Sequence, residues 1–208
     1  MDKAIHDISL SLKSDQPAWP GAPPFSCESI SAIKNGDSCN VSCLRMSSHF
    51  CTHLDAPYHF IENGAKLDAI PLQTLIGKAL VHEVSATKSI GQANLPDLTN
   101  VERILFKTPN SAIIADSIFH EEYVSVGLDA AKAMVRAGIR LIGVDYFSIE
   151  QFHTSNYPVH HELCGNGVIL VEGLDLRAIS PGWYELIVLP LKIAGSDGSP
   201  CRAVLREL

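Results

Sequence analysis

Short apolar runs recur along the chain, rich in Ile, Val and Leu and bounded by Gly, Pro, Asp or Asn. Runs of this length and composition are typical of buried or half-buried β-strands. The pattern therefore predicts strands over 4–10, 27–33, 79–84, 103–108, 139–145, 167–172 and 183–191.

Two segments have the pattern of a helix. In 128–137, Leu128, Ala131 and Val135 fall on one stripe, and Gly138 stands where a left-handed C-terminal cap belongs. A second helical segment is predicted over 160–166. Because strands outnumber helices, the pattern predicts a strand-rich, mixed α/β fold.

Composition limits the class of protein. The 208 residues are 46% hydrophobic and 19% charged, as in an ordinary globular chain, and we expect one domain over 1–208. A net charge of −7 argues against nucleic acid and anionic membranes as partners. The first twelve residues contain no apolar run like that of a signal peptide, and the six cysteines form no repeated C-x-x-C pairing. We therefore expect a cytoplasmic protein.

The stretch "HFCTHLDAPYH", residues 49–59, concentrates candidate chemistry. It holds three of the nine histidines in the chain, together with one aspartate. Neutral imidazole and carboxylate are ligands of zinc, manganese or iron, and three protein ligands with an open position are typical of a catalytic site. The pattern predicts a metal centre. The alternative is a group of histidines that are hydrogen-bonded in the core or at the surface and hold no ion.

The geometry of this stretch limits how it can fold. A fully extended chain from His49 to Asp55 would span roughly 20 Å, too far for two ligands of one ion. The segment must therefore curl. We predict a strand end that leads into a turning loop, with Pro57 fixing the exit of the chain.

The same stretch resembles the H-x-G-T-H-x-D-x-P-x-H signature of the cyclase family of metal-dependent hydrolases. That family includes kynurenine formamidases (arylformamidases) and isatin hydrolases. Four further segments resemble the family: "PAWPGAPPF", "GVDYFSIE", "HHELCGNGVILVEGL" and "PLKIAGSDGSPCRAVL". The resemblance implies a swivelling β/β/α domain that forms a homodimer or homotetramer.

The resemblance also implies roles for individual residues. Asp55 would bridge a second ion where two are bound, and His59 would do acid–base work. His160 and Glu172, twelve residues apart, have the family's spacing for two further ligands, whereas His161 does not. The implied metal ligands are His49, His53, Asp55, His160 and Glu172. The expected cofactor is a divalent metal, Zn²⁺ or Mn²⁺, with one or two ions per subunit.

The implied function is hydrolysis of an aryl formamide, such as N-formyl-kynurenine, by metal-activated water. One alternative is hydrolysis of a cyclic amide, imide or lactone, as by an isatin hydrolase. Another is a non-catalytic protein in which the ion staples a loop or an interface. Histidine and carboxylate ligands argue against the last, because structural zinc sites favour cysteines and are closed.

The sequence also predicts roles for two residues near the predicted site, Trp19 and Cys51. Trp19, in the Pro-rich segment "AWPGAPPF", is predicted to form a wall for the small-molecule substrate, with a tryptophan anchored in the core as the alternative. Cys51 stands where the family signature has glycine. Because a fourth donor in so short a segment would close the site to water, we predict a neutral thiol in the pocket wall and not a metal ligand.

Overall fold

The computed structural model describes residues 3–85 and 88–208. Its strands are β1 Ile5–Asp7, β2 Ser26–Ser31, β3 Val41–Arg45, β4 His53–Asp55, β5 Ile76–Glu83, β6 Ser89–Ile90, β7 Arg103–Lys107, β8 Ser125–Val126, β9 Leu141–Val144, β10 Ile169–Glu172, β11 Gly182–Pro190 and β12 Gly198–Glu207. Its α-helices are α1 Leu72–Leu75, α2 Leu128–Arg136 and α3 Pro158–Gly165. Short 3₁₀ helices lie at Ile33–Asn35, Pro57–His59, Leu67–Ala69, Gln92–Asn94 and Pro109–Ala112.

Seven strands close into a mixed β-barrel. Their order is β12-β11-β5-β7-β9-β10-β4, and β4 pairs back to β12. The ten-residue β12 can close the ring because it divides one edge between two partners, β4 at its start and β1 near its end. Closure leaves no strand of the ring with a free edge along its whole length, which protects the sheet from edge-to-edge pairing.

The central strands are buried on both faces. On β7, Leu105 points into a core cluster inside the barrel, whereas Ile104 and Phe106 pack in a second cluster with α2 and α3. Strands β5, β7, β9 and β10 are parallel neighbours in this region. Burial on both faces explains why β7, β9 and β10 are nearly continuous apolar runs, whereas β5 alternates buried with partly exposed residues.

The predicted strand-rich, mixed α/β fold is confirmed. Helix α2 ends one residue before the predicted boundary, and Gly138 has the left-handed φ of +81° that a C-terminal cap requires. Helix α3 begins at Pro158, two residues earlier than predicted, because proline suits the first helical position. The swivelling β/β/α arrangement stays a prediction.

Strand β12 was not predicted, although its sequence carries the signal. Ala203 and Leu205 are fully buried, whereas Arg202 before them and Arg206 after them are exposed. This alternation has the period of two that marks a strand with one buried face.

None of the helices within 3–85 and 88–208 has the length and apolar character needed to cross a bilayer.

Candidate metal centre

The stretch 49–59 curls, but not in the order that we predicted. The turn comes before the strand: the chain reverses at Cys51, whose φ is +56°, then forms β4 and enters the 3₁₀ helix that begins at Pro57. The early turn folds His49 back over the strand, so that its Nδ1 lies 2.7 Å from Asp55 Oδ1. His53 and Asp55 are two residues apart on β4 and therefore share a face.

His49 lies between two carboxylates. Its Nδ1 contacts Asp55, and its Nε2 lies 2.7 Å from Oδ2 of Asp197, the residue that precedes β12. Burial alone would lower the pKa of His49, but the two carboxylates outweigh it and raise the pKa to about 10. The same pairing lowers the pKa of Asp197 below its ordinary range. Without a metal ion, His49 is an imidazolium at neutral pH.

His53 is held by the backbone. Its Nδ1 donates a hydrogen bond to the carbonyl oxygen of Cys51 at 2.9 Å, which leaves Nε2 as the nitrogen that faces the carboxylates. Nε2 lies 3.4 Å from Asp55 Oδ1 and 3.4 Å from Glu172 Oε2. A histidine whose second nitrogen is fixed in this way is oriented as metal ligands commonly are.

His160 reaches the same place from helix α3. Glu150 accepts hydrogen bonds from the backbone N–H groups of Val159 and His160 and lies 2.7 Å from His160 Nδ1. One buried carboxylate therefore caps the start of α3 and turns His160 Nε2 towards Glu172 Oε1, 3.6 Å away. Burial opposes protonation of His160, but Glu150 and Glu172 raise its pKa to about 9.

Asp55 joins two donor sets. His49, His53 and Asp55 can bring donor atoms within 4.8 Å of one another, and so can Asp55, His160 and Glu172. Oδ2 of Asp55 is the one buried side-chain polar atom of the described residues without a hydrogen-bond partner. A buried carboxylate oxygen rarely lacks a partner, because leaving one unpaired is costly. The orphaned oxygen and the histidine–carboxylate donors fit a divalent cation shared by the sets.

His59 lies at the mouth of the cluster. Its ring stacks on His49 with 3.9 Å between the ring centroids, and its Nδ1 is 3.8 Å from Asp197 Oδ2. Burial lowers the pKa of His59; the charge of Asp55 opposes this, but the net shift is downward. His59 is therefore neutral at pH 7 and able to accept a proton.

A cavity of about 330 Å³ opens onto the cluster. Its aromatic walls are Trp19, Phe60, Phe147 and Tyr157. The half-buried Trp19 lines the cavity and is anchored by edge-to-face contacts with Phe119 and Phe152, at 5.3 Å and 5.2 Å between ring centroids. Trp19 therefore forms part of the cavity wall and is also anchored by its aromatic neighbours. Its contact with a substrate stays a prediction.

The structure brings together all five predicted ligands and His59. It places His160 beside Glu172, whereas His161 is exposed. Two acidic residues of the cluster, Glu150 and Asp197, were not predicted from the sequence. Both lie in segments that resemble the family, "GVDYFSIE" and "PLKIAGSDGSPCRAVL", but neither segment has the dense donor pattern that singled out residues 49–59.

The barrel and the cluster together define a class of protein: a mixed α/β fold that carries the donor types of a catalytic metal centre. The particular family follows from the sequence, because the profile described as "Putative cyclase" matches residues 6–151. The chain belongs to this cyclase family.

The proteins similar to this chain include a curated relative and two solved structures. The chain is 38% identical over 212 residues to a kynurenine formamidase of Salinibacter ruber (strain DSM 13855 / M31), with 98% of both chains covered. A predicted metal-dependent hydrolase from Bacillus stearothermophilus superposes with a TM-score of 0.87 at 29% identity, over 100% of both chains. Isatin hydrolase A from Labrenzia aggregata has a TM-score of 0.82 at 23% identity, covering 98% of this chain and 93% of its own, and shares the fold.

Proposed function

We propose that the protein is a metal-dependent amidohydrolase that cleaves an aryl formamide, with N-formyl-kynurenine as the first substrate to test. The observation that carries the proposal is the meeting of two donor sets at Asp55, beside a neutral His59 and an aromatic cavity. The 38% identity to a kynurenine formamidase over nearly the whole chain supports the same substrate class.

The ligands would be His49, His53, Asp55, His160 and Glu172. A divalent ion held by them supplies Lewis acidity, which activates water and polarises a carbonyl group. The cavity reaches these residues on the side where His59 lies, so a substrate could approach an ion held there from that side. Histidine and carboxylate ligands with an open side are typical of catalytic and not of structural zinc, which argues against a purely structural ion.

His59 is suited to move the proton. As a neutral imidazole it accepts a proton from the attacking water and then donates it to the leaving aniline nitrogen. The amine product needs that proton, because an anilide anion is a poor leaving group in water. The stacking of His59 on His49 holds its ring at the mouth of the cluster.

The aromatic walls suit an aryl group. A cavity of about 330 Å³ is at the small end of the range for ligand pockets, and flat rings prefer offset or edge contacts with aromatic side chains. Among these walls, the half-buried Trp19 and Phe60 offer aromatic surface to such a ring.

Finer properties belong to the same proposal. We expect Zn²⁺ or Mn²⁺, one or two ions per subunit, one domain over 1–208 and a cytoplasmic location. A homodimer or homotetramer is supported by the exposed apolar side chains of the β2–β3 hairpin, where Ile30 is 68% and Leu44 is 55% exposed. Single exposed apolar residues are common, but several on one hairpin would suit a contact surface between subunits.

A substrate screen tests the function. Purified protein loaded with Zn²⁺ or Mn²⁺ is assayed on N-formyl-kynurenine, formylanilines, isatin and cyclic imides, with His59→Ala as the matched control. We expect the formylated anilines to be preferred and kcat to fall about 10²–10⁴-fold in His59→Ala. Preference for isatin would favour the ring-opening alternative, and no hydrolysis of any of them by metal-loaded protein would contradict the proposal.

A further inference from the structure

We propose that Asp197 is the positioning residue of the metal centre, one carboxylate that orients the ligand His49 through a hydrogen bond and lies within 3.8 Å of the acid–base residue His59. The inference rests on the proposed function and deepens it, because it assigns a role to a residue outside the motif.

The first support is the contact with His49. Asp197 Oδ2 lies 2.7 Å from Nε2, while Nδ1 of the same ring lies 2.7 Å from Asp55 Oδ1. A neutral imidazole has one N–H group and one lone pair. When Nδ1 is offered to an ion shared with Asp55, Nε2 carries the proton and Asp197 accepts it. This is the carboxylate–histidine–metal arrangement that fixes a ligand's tautomer and ring orientation.

The second support is that Asp197 is itself held in place. Ser48 Oγ lies 3.3 Å from Asp197 Oδ2, and Ser196 Oγ lies 3.3 Å from Oδ1. The backbone of residue 197 is also tied to the motif, since its carbonyl oxygen accepts a hydrogen bond from Ala56 N–H at 2.9 Å. The start of β12 is thus locked beside β4, so the carboxylate presents a fixed acceptor.

The third support is the glycine that follows. A Cβ at Gly198 would lie 2.7 Å from His49 Cε1 and 2.8 Å from the carbonyl oxygen of Leu54. The His49 ring therefore rests directly on the backbone of β12, with Asp197 at its outer nitrogen. Packing and hydrogen bonding fix the same ring from two sides.

The contact with His59 completes the role. Asp197 Oδ2 is 3.8 Å from His59 Nδ1, and the two histidine rings are stacked. One oxygen therefore faces both rings, so a change at Asp197 should disturb ligand and acid–base residue together. Asp197 is 41% exposed at the rim, whereas Asp55 and Glu172 are buried at the centre of the cluster. This placement favours an orienting role over a ligand role, although His49, His59 and Asp197 also form a donor set.

The test measures metal binding apart from activity. The affinity of the metal-free protein for Zn²⁺ alone is determined by competition with a chelating dye, for the unsubstituted chain, Asp197→Asn and Asp7→Asn. Asp7→Asn is the matched control, because it makes the same change in an exposed ion pair with Arg202. We expect Asp197→Asn to bind Zn²⁺ about 10–100-fold more weakly and Asp7→Asn to bind like the unsubstituted chain.

A second measurement separates positioning from ligation. The visible spectrum of the Co²⁺-loaded protein reports the number and type of ligands, and Asp197→Asn should leave it unchanged at saturating Co²⁺. Unchanged Zn²⁺ affinity, or a Co²⁺ spectrum that shows a lost ligand, would overturn the inference. If Asp197→Asn does not fold, Ser48→Ala decides: it removes a hydroxyl beside Asp197 and should weaken Zn²⁺ binding by a smaller factor, and unchanged affinity there would contradict the inference.

The two proposals fail in different ways. If the unsubstituted chain and Asp7→Asn do not bind Zn²⁺ or Co²⁺, the proposed function itself is wrong. If both bind tightly and Asp197→Asn binds equally well, only the role of Asp197 is wrong.

Discussion

At the scale of single residues, the site depends on a backbone conformation that its sequence does not favour. Cys51 has a φ of +56°, in the left-handed region that glycine adopts without strain but in which other residues are strained. That conformation aims the Cys51 carbonyl at His53 Nδ1. Glycine at position 173 lets the two backbones lie this close, because a Cβ there would lie 2.2 Å from the Cys51 oxygen. Two neighbouring backbones thus fix one histidine.

Replacing Cys51 with glycine should leave the metal centre intact. The variant relieves left-handed strain of about 1 kcal/mol but loses a buried side chain and gains freedom in the unfolded chain. We expect the free energy of unfolding to change by less than about 1 kcal/mol, with the metal content per chain unchanged. Elemental analysis and thermal unfolding measure both. Loss of metal would mean that the thiol, whose pKa burial raises to about 12, is a ligand after all.

The adjacent histidines 160 and 161 give a matched pair. His160 is buried against Glu150 and Glu172, whereas His161 is exposed. His160→Ala should therefore lower the metal content and the rate of hydrolysis far more than His161→Ala. Metal analysis of the two purified variants measures this. Equal losses, or a larger loss in His161→Ala, would show that the assignment is out of register.

At the scale of elements, Thr52 ties together the segments that carry the proposed metal ligands. Its hydroxyl donates to the carbonyl oxygen of Gly173 at 2.6 Å, directly after Glu172, and accepts from Leu10 N–H at 2.8 Å. Thr52 is 2% exposed, so water cannot replace either partner. One buried hydroxyl therefore fixes the turn before β4 against the end of β10.

Substitution of Thr52 tests this tie. Thr52→Val keeps the shape but removes the hydroxyl, and each buried partner left unpaired costs about 1–3 kcal/mol. We expect lower stability and weaker metal binding in Thr52→Val, with most of both restored in Thr52→Ser. Denaturant unfolding and Zn²⁺ titration measure the two effects. A Thr52→Val variant with unaltered stability would contradict the role.

The sequence predicted the local parts of this arrangement better than the distant ones. The apolar runs of β5, β7, β9, β10 and β11 marked the barrel because burial imposes their composition. The dense donors of 49–59 marked the site. Asp197 could not be predicted from the local pattern, because its partner His49 lies 148 positions earlier. Only closure of β12 against β4 brings the two together. The turn at Cys51 also depends on contacts made elsewhere in the fold.

At the scale of the whole molecule, the fold gathers protonated histidines and ionised carboxylates around one centre. In the metal-free protein, the pKa of His49 is raised from 6.5 to about 10 and that of His160 from 6.5 to about 9, because carboxylates outweigh the effect of burial. The pKa values of Asp55 and Glu172 are shifted down by the same pairing, despite burial. Ion pairs between the histidines and the acids thus occupy the place of a cation.

This arrangement predicts a pH dependence for the metal-free protein. A raised histidine pKa stabilises the fold fully below pH 6.5, and that stability is lost as the pH rises towards 9–10. The lowered carboxylate pKa values stabilise the fold above about pH 4, and this is lost in acid. We expect the metal-free protein to be most stable near pH 4–6.5 and to weaken by pH 9.

Metal loading should change that profile, because ligands must release their protons to bind the ion. Thermal unfolding with and without Zn²⁺ from pH 5 to 10 measures the difference. The stabilisation by Zn²⁺ should grow as the pH rises. Stabilisation by Zn²⁺ that is independent of pH would contradict protonation of His49 and His160 in the metal-free state.

The most direct test of the account is a titration of metal-free protein with Zn²⁺ or Mn²⁺ while the initial rate of N-formyl-kynurenine hydrolysis is followed. The account predicts almost no hydrolysis without metal, and a rate that rises in proportion to bound metal until one or two ions per chain are held. Asp55→Asn, which alters the carboxylate shared by both donor sets, should bind little metal and remain inactive throughout. Full hydrolysis by the metal-free protein, or metal-dependent hydrolysis in Asp55→Asn equal to that of the unsubstituted chain, would contradict it.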